Sequence, residues 1–175
     1  MDNIIDWNDK ESVIKIVKKN GKKLKFASKE LRNDPDVVLT ALIKGRNALR
    51  YGSKELRANK EFIIKAINSD NDGGSLYFAS EELKNDFDVV KAAILRDGRK
   101  ILYASNDLKN NKNLALFALT QNIYTYNSFG EDLKSEIGDR NPLEFLTAFK
   151  QAKNLFDKLI QELPLTAKVS SRLKL

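Results

Sequence analysis

The sequence predicts an all-α, solenoid-like protein: an array of short helical repeats of about 25 residues, closed by a long C-terminal helix. The first observation is a fixed period. A leucine recurs at Leu31, Leu56, Leu83, Leu108 and Leu133, with spacings of 25, 27, 25 and 25 residues. Three residues before it stand Ser28, Ser53, Ser80 and Ser105, then Gly130; five before it stand Phe26, Tyr51, Phe78 and Tyr103, then Ser128. The second observation is the pattern downstream of each leucine. Apolar residues recur six and seven residues on, and again ten and eleven on, as in Val89 and Val90 followed by Ala93 and Ile94. Such spacing makes one stripe of an α-helix, whereas a strand would alternate. The third is the end of the chain, where Phe145, Phe149, Ala152, Phe156, Leu159, Ile160 and Leu163 keep helical spacing after Asn141 and Pro142.

Residues 1–140 form the repeat region. Residues 1–8 are a lead-in, in which Ile4, Ile5 and Trp7 are expected to cover the apolar end of the first helix. The first unit runs from Asp9 to Asn33. Asp9 is its N-cap, Glu11 suits the helix dipole, and Val13, Ile16 and Val17 form the buried stripe. Asn20 and Gly21 are expected to end the helix in a left-handed turn. The second unit, Asp34 to Asn59, starts with an N-cap aspartate and Pro35 at the first helical position. Gly45 closes that helix, a shorter helical segment holds Ala48, Leu49 and Tyr51, and Ser53 caps one more turn ending at Leu56. The third unit, Lys60 to Asn85, is acidic and carries two extra residues in Asp70 to Gly74, which accounts for the spacing of 27. That loop lacks the alternating ligands and the final glutamate of a calcium loop, so it reads as a turn. The fourth unit runs from Asp86 to Asn110 and the fifth from Asn111 to Asp139. The fifth loses the serine and the aromatic and has Tyr124, Tyr126 and Phe129 instead, as an end unit does. The spacing then predicts one helix over 142–163, about 33 Å long, as a lid on the last unit, with a dimer contact as the alternative. Residues 164–175 are a basic tail.

Phe26 to Leu31, Ala48 to Ser53, Phe78 to Leu83 and Tyr103 to Leu108 carry a resemblance to a known family. Units of this form resemble the DUF4116 repeat of bacterial and protist proteins, over roughly residues 9–120. The resemblance implies a helical repeat and no particular activity, because the function of that family is unknown.

Composition excludes several classes of chemistry. There is no histidine and no cysteine, which removes the usual general base, disulfides, thiolate chemistry and zinc sites built from those residues. The repeated serines read as N-caps and not as nucleophiles, because no histidine stands ready to activate them. Asn and Asp interchange at residues 34, 59, 86 and 111, which suits a cap and not a charged catalytic role. Glycines never form a phosphate-cradling loop. No enzyme, cofactor or metal is therefore expected. With neither a secretory signal nor a membrane span, the expected compartment is the cytoplasm.

The net charge of +7 is uneven. Residues 1–33 and 142–175 carry the excess, whereas residues 60–85 are acidic. Lys18, Lys19, Lys22 and Lys23 crowd the first turn, and Arg46, Arg50, Arg99 and Lys100 occupy later turns. These eight are the candidate interaction surface of a monomeric, non-catalytic scaffold for a protein partner. A nucleic acid or other polyanion is the alternative, weakened because Gly73 interrupts the row in the third unit.

Overall fold

The computed structural model describes residues 6–45, 47–70 and 74–162. Among them it contains helices and no strand, and each unit repeats one plan. A long α-helix leads into a 3-10 turn and then into a one-turn α-helix. The long helices are α1 (Lys10–Val17), α3 (Pro35–Lys44), α5 (Lys60–Ser69), α7 (Phe87–Arg96) and α9 (Lys112–Gln121). The short ones are α2 (Lys29–Arg32), α4 (Lys54–Arg57), α6 (Glu81–Lys84), α8 (Asn106–Lys109) and α10 (Glu131–Ile137). The 3-10 turns between them span Gly21–Phe26, Ala48–Tyr51, Gly74–Phe78, Gly98–Tyr103 and Ile123–Ser128. Each long helix packs on the next, and each 3-10 turn packs on the next, so equivalent residues form rows along the array.

The caps are where the sequence places them. Asp9, Asp34, Asn59, Asp86 and Asn111 each accept a backbone N–H at the start of a long helix. The frame serines do the same for the short helices. The core is one continuous cluster: Val13, Leu49, Ile63, Ile67, Leu76, Ile94, Ile101 and Leu114 are fully or almost fully buried within it. Ile16 of the expected stripe is only half-buried.

One expectation about the turns is corrected. Neither Asn20 nor Gly21 is left-handed; among the described residues only Gly138 has positive φ, at 58°. Asn20 is instead extended, and its side chain accepts the Lys22 N–H to start the 3-10 turn. Asp97 and Asn122 do the same for Arg99 and Tyr124. The expected second, shorter helical segment with Ala48, Leu49 and Tyr51 is present, as a 3-10 helix over Ala48–Tyr51. In the third unit Asp70 takes over the capping role. It is buried and accepts from both the N–H and the hydroxyl of Ser75, at 2.8 and 2.9 Å. Residues 71–73 lie outside the described ones.

One backbone hydrogen bond joins each unit to the next. The N–H of Ser53, Ser80, Ser105 and Gly130 donates to the carbonyl of Arg32, Arg57, Lys84 and Lys109, at 2.9–3.1 Å. In the first unit the Ser28 N–H donates to Trp7, so the lead-in supplies the carbonyl that a preceding unit would. Trp7 also packs against Phe26, with 5.3 Å between ring centres; Ile4 and Ile5 lie outside the described residues. Ser53 and Ser105 additionally donate their hydroxyls to Asn33 and Asn85 of the preceding unit, at 2.5 and 2.6 Å. Ser80 has no such partner, since Ala58 stands in that place. Ser80→Ala should therefore cost about 0.5–2 kcal/mol, a lost cap, and Ser53→Ala about 0.5–1.5 kcal/mol more, a lost inter-unit hydrogen bond. Urea unfolding of both variants measures the difference.

The fifth unit keeps the cap by exchange. Gly130 has no side chain to cap α10, so Asn110 of the preceding unit reaches across, and its Oδ1 accepts the Leu133 N–H at 3.1 Å. A Cβ on residue 130 would overlap that Oδ1. Glycine here makes room for the substitute cap.

The interchange of Asp and Asn at the long-helix caps also has a cause. Lys10 pairs with Asp34 at 2.7 Å and with Asp36 at 3.6 Å; Lys60 pairs with Asp86 at 2.8 Å and with Asp88 at 3.2 Å. Lys112 pairs with Glu136. The aspartate caps Asp34 and Asp86 follow units whose first helical residue is lysine, and the asparagine caps Asn59 and Asn111 follow Pro35 and Phe87; before Asn141, Lys112 turns to Glu136 instead. For Asp34 and Asp86 burial pushes the carboxyl pKa up, but the lysine bond and the helix N–H groups outweigh it, leaving both below the ordinary value. A carboxylate of lowered folded pKa stabilises above its unfolded pKa of about 3.9 and loses that contribution as pH falls through the folded value. Acid unfolding below about pH 4 should therefore be milder, relative to neutral pH, in Asp34→Asn/Asp86→Asn, as denaturant midpoints at the two pH values would show.

The last helix, α11 (Pro142–Glu162), packs on α9 where the long helix of a sixth unit would stand. Leu146 is fully buried and Phe145 and Phe149 are partly so. Leu163, residues 164–175 and the side chains of Ala152, Phe156, Leu159 and Ile160 lie outside the described ones.

Candidate interaction surface

The structure disperses the eight sequence-predicted residues. Lys18 and Lys19 are exposed at the end of α1, and Lys22 and Lys23 in the first 3-10 turn. Arg99 shares the row of Lys22, but Asn47 and Gly74 lie between them in that row, so no continuous positive edge forms. Asp97 also holds Arg99, with both its oxygens 3.0 Å from Nε. Lys100 is a correction. It is only 9% exposed, 3.7 Å from Asp97, with its ammonium over the Tyr103 ring. It occupies the inward row that Ala48, Ser75 and Thr125 fill elsewhere, so it is packed within the stack and not on the exposed surface expected of it. Arg46 lies outside the described residues. Arg50 stands in a concave site.

The row that sequence reasoning missed directly follows the frame leucine. Arg32, Arg57, Lys84, Lys109 and Lys134 are all cations, one per unit and all partly buried. The signal was in the alignment of the units. It was obscured because counting net charge by segment sets these cations against Glu81, Glu82, Glu131 and Asp132 nearby. Beside this row runs a second of aromatic rings. Phe26, Tyr51, Phe78 and Tyr103 are half-buried or exposed, and not fully core as their fixed slot suggests. Tyr77 adds an exposed ring 5.1 Å from Tyr103. Cations lie over several rings: Lys25 over Phe26 at 4.7 Å, Arg50 over Tyr51 at 5.4 Å and Lys84 over Tyr77 at 5.9 Å.

Between the first two units these rows border a groove of about 820 Å³, with Arg32, Arg50, Tyr51 and Arg57 among its walls. Arg50 also lines the next depression, of about 450 Å³, with Asn47, Tyr77, Phe78 and Tyr103. Arg50 thus lies between a depression rich in arginine and one rich in aromatic rings, and the pair is called the trough below. Arg57 donates to the Phe78 carbonyl at 3.4 Å. Nε of Arg32 and Nε of Arg57 are buried and make no hydrogen bond. Glu30 and Glu55, on the rim, each have a carboxyl pKa lowered by their own backbone N–H and by the Ser28 and Ser53 hydroxyls. No group of acidic residues that could hold a metal ion occurs among the described residues. No described helix is long and apolar enough to cross a membrane.

A stack of similar three-part helical units, joined by a recurrent backbone hydrogen bond, defines the class of the molecule: it is an α-helical repeat protein. The model of the family described as "Domain of unknown function (DUF4116)" matches residues 9–57, 59–102 and 86–134, and the chain belongs to that family. Each match spans about two of the structural units, the same interval that separates Lys10, Lys60 and Lys112. No curated protein and no solved structure matches the chain.

Proposed function

We propose that the chain is a non-catalytic scaffold that binds a protein partner through the side built from its 3-10 turns and short helices. The observation that carries this is the coincidence there of the one-per-unit cation row, the aromatic row and the trough. A repeat frame of this kind holds its buried positions constant and leaves surface positions free to be set by a partner. Several of the described carboxylates, Asp9, Asp34 and Asp86 among them, serve as helix caps or ion-pair partners, a structural use of charge that fits a binding frame.

A nucleic acid is the second reading, favoured by cations stacked beside exposed rings. Crosslinked pull-down with the full chain from its native cell, read by mass spectrometry with and without nuclease, tests both. The scaffold reading expects a protein retained after nuclease treatment and lost with Arg57→Glu. Retention that vanishes with nuclease sinks it in favour of the second reading.

A further inference from the structure

We infer that the trough between the first two units and Tyr103 binds an extended acidic peptide segment that carries an aromatic or large apolar residue beside its carboxylates. This rests on the scaffold reading and names the chemistry of the partner. Three of the chain's eight arginines, Arg32, Arg50 and Arg57, line the cationic half. Arginine's planar fork pairs with a carboxylate through two parallel hydrogen bonds, which a lysine does not reproduce. Two of these arginines bury an Nε–H without an acceptor. These Nε–H groups are themselves shielded, so pairing with a carboxylate falls to the other guanidinium nitrogens of the arginines that line the groove.

The other half of the trough recognises something different. Tyr77, Phe78 and Tyr103 present ring faces and edges, with Asn47 beside them. Asn47 makes no capping hydrogen bond, so its amide is available to pair with a peptide group. An aromatic or large apolar side chain fits against those rings, and Arg50, shared by both halves, stands where the acidic part gives way to the apolar part.

Two features favour a peptide over a nucleic acid. Glu30 and Glu55 rim the cationic half. These carboxylates confine the positive site to a few arginines, which suits a short run of carboxylates among uncharged peptide groups better than a strand with a phosphate at every residue. The cation row is also partly neutralised beyond the second unit, where Lys84 pairs with Glu81 at 2.7 Å and Lys134 with Glu131 at 3.0 Å. Beyond the second unit the short helices begin with Glu81 and Glu82, and later with Glu131 and Asp132. A polyanion that follows a cationic track along the whole array would meet these acids.

The test uses the full chain and a fluorescein-labelled peptide of four glutamates followed by tyrosine and leucine, read by fluorescence anisotropy. The expected result is saturable binding. It should weaken by about tenfold or more in Arg32→Ala/Arg57→Ala, as for the loss of charge-assisted bidentate pairs. It should weaken also in Tyr77→Ala and in Arg50→Ala, and stay unchanged in Lys150→Ala on α11. Arg50 is exposed, with its guanidinium over the Tyr51 ring, so its variant remains informative if the double variant fails to fold by circular dichroism. Absence of saturable binding overturns the proposal. Binding that ignores all the trough variants overturns it too, while the nuclease-resistant pull-down would leave the scaffold reading standing. Displacement of the peptide by a mixed-sequence single-stranded RNA that itself binds more tightly would assign the trough to nucleic acid instead.

Discussion

Truncation after Asp139 is expected to give a chain that aggregates or is partly unfolded, while the full-length chain sediments as a monomer. The long helix α11 covers the open end of the array, packed on α9. Burying Leu146 contributes about 1.5–3 kcal/mol, and the partly buried Phe145 and Phe149 add to it before entropy is counted. Cations reinforce the seat: Lys112 lies 4.8 Å from the Phe149 ring centre, and Arg140, itself removed by the truncation, lies 4.3 Å from that of Phe145. Against a whole-domain stability of about 5–15 kcal/mol, losing this layer is severe. It would also expose the apolar surface of α9, which favours association of truncated chains. Sedimentation and circular dichroism of both forms are the measurement. A full-length dimer that became a well-folded monomer on truncation would show that α11 serves a second copy and not the array end.

Gly21→Ala is the point substitution with the largest expected cost. Gly21 is buried against the next unit, and a Cβ there would overlap the Ala41 carbonyl oxygen and stand 2.9 Å from the Gly45 nitrogen. Both are backbone atoms of α3 and its end, so no side-chain rotation relieves the clash. The first two units must separate locally. Overpacking typically costs about 1–3 kcal/mol, and a clash with backbone on both sides belongs at or above the top of that range. Gly45→Ala is the control, since its Cβ would meet Gly21 atoms no closer than 3.2 Å. Thermal unfolding should rank wild type above Gly45→Ala, and Gly45→Ala above Gly21→Ala. Equal stability of the two variants would mean that the units do not approach as closely at this turn.

The repeat was legible in the sequence because its information is local. A cap needs a particular side chain at one position, and an amphipathic helix needs apolar residues at a fixed spacing. Asp34 with Pro35, the frame serines and Asn141 with Pro142 therefore placed their helix starts without any tertiary contact. The glycines misled, because the same residue type serves a left-handed turn and a close approach between backbones. Only the neighbouring unit determines which of the two Gly21 serves. The reach of Asn110 across to Leu133, the pairing of Lys10 with Asp34 and of Lys60 with Asp86, and the burial of Lys100 all depend on which residues of adjacent units stand opposite one another. The trough is of this kind as well. Arg32, Arg50 and Arg57 belong to different helices and turns, and Tyr77 and Tyr103 to later units. The chain by itself determined the period, the helices and their caps, since each of these is stabilised by residues a few positions apart. The stacking of one unit on the next decided which cations face solvent, because exposure depends on what lies across the interface and not on what lies beside a residue in the chain.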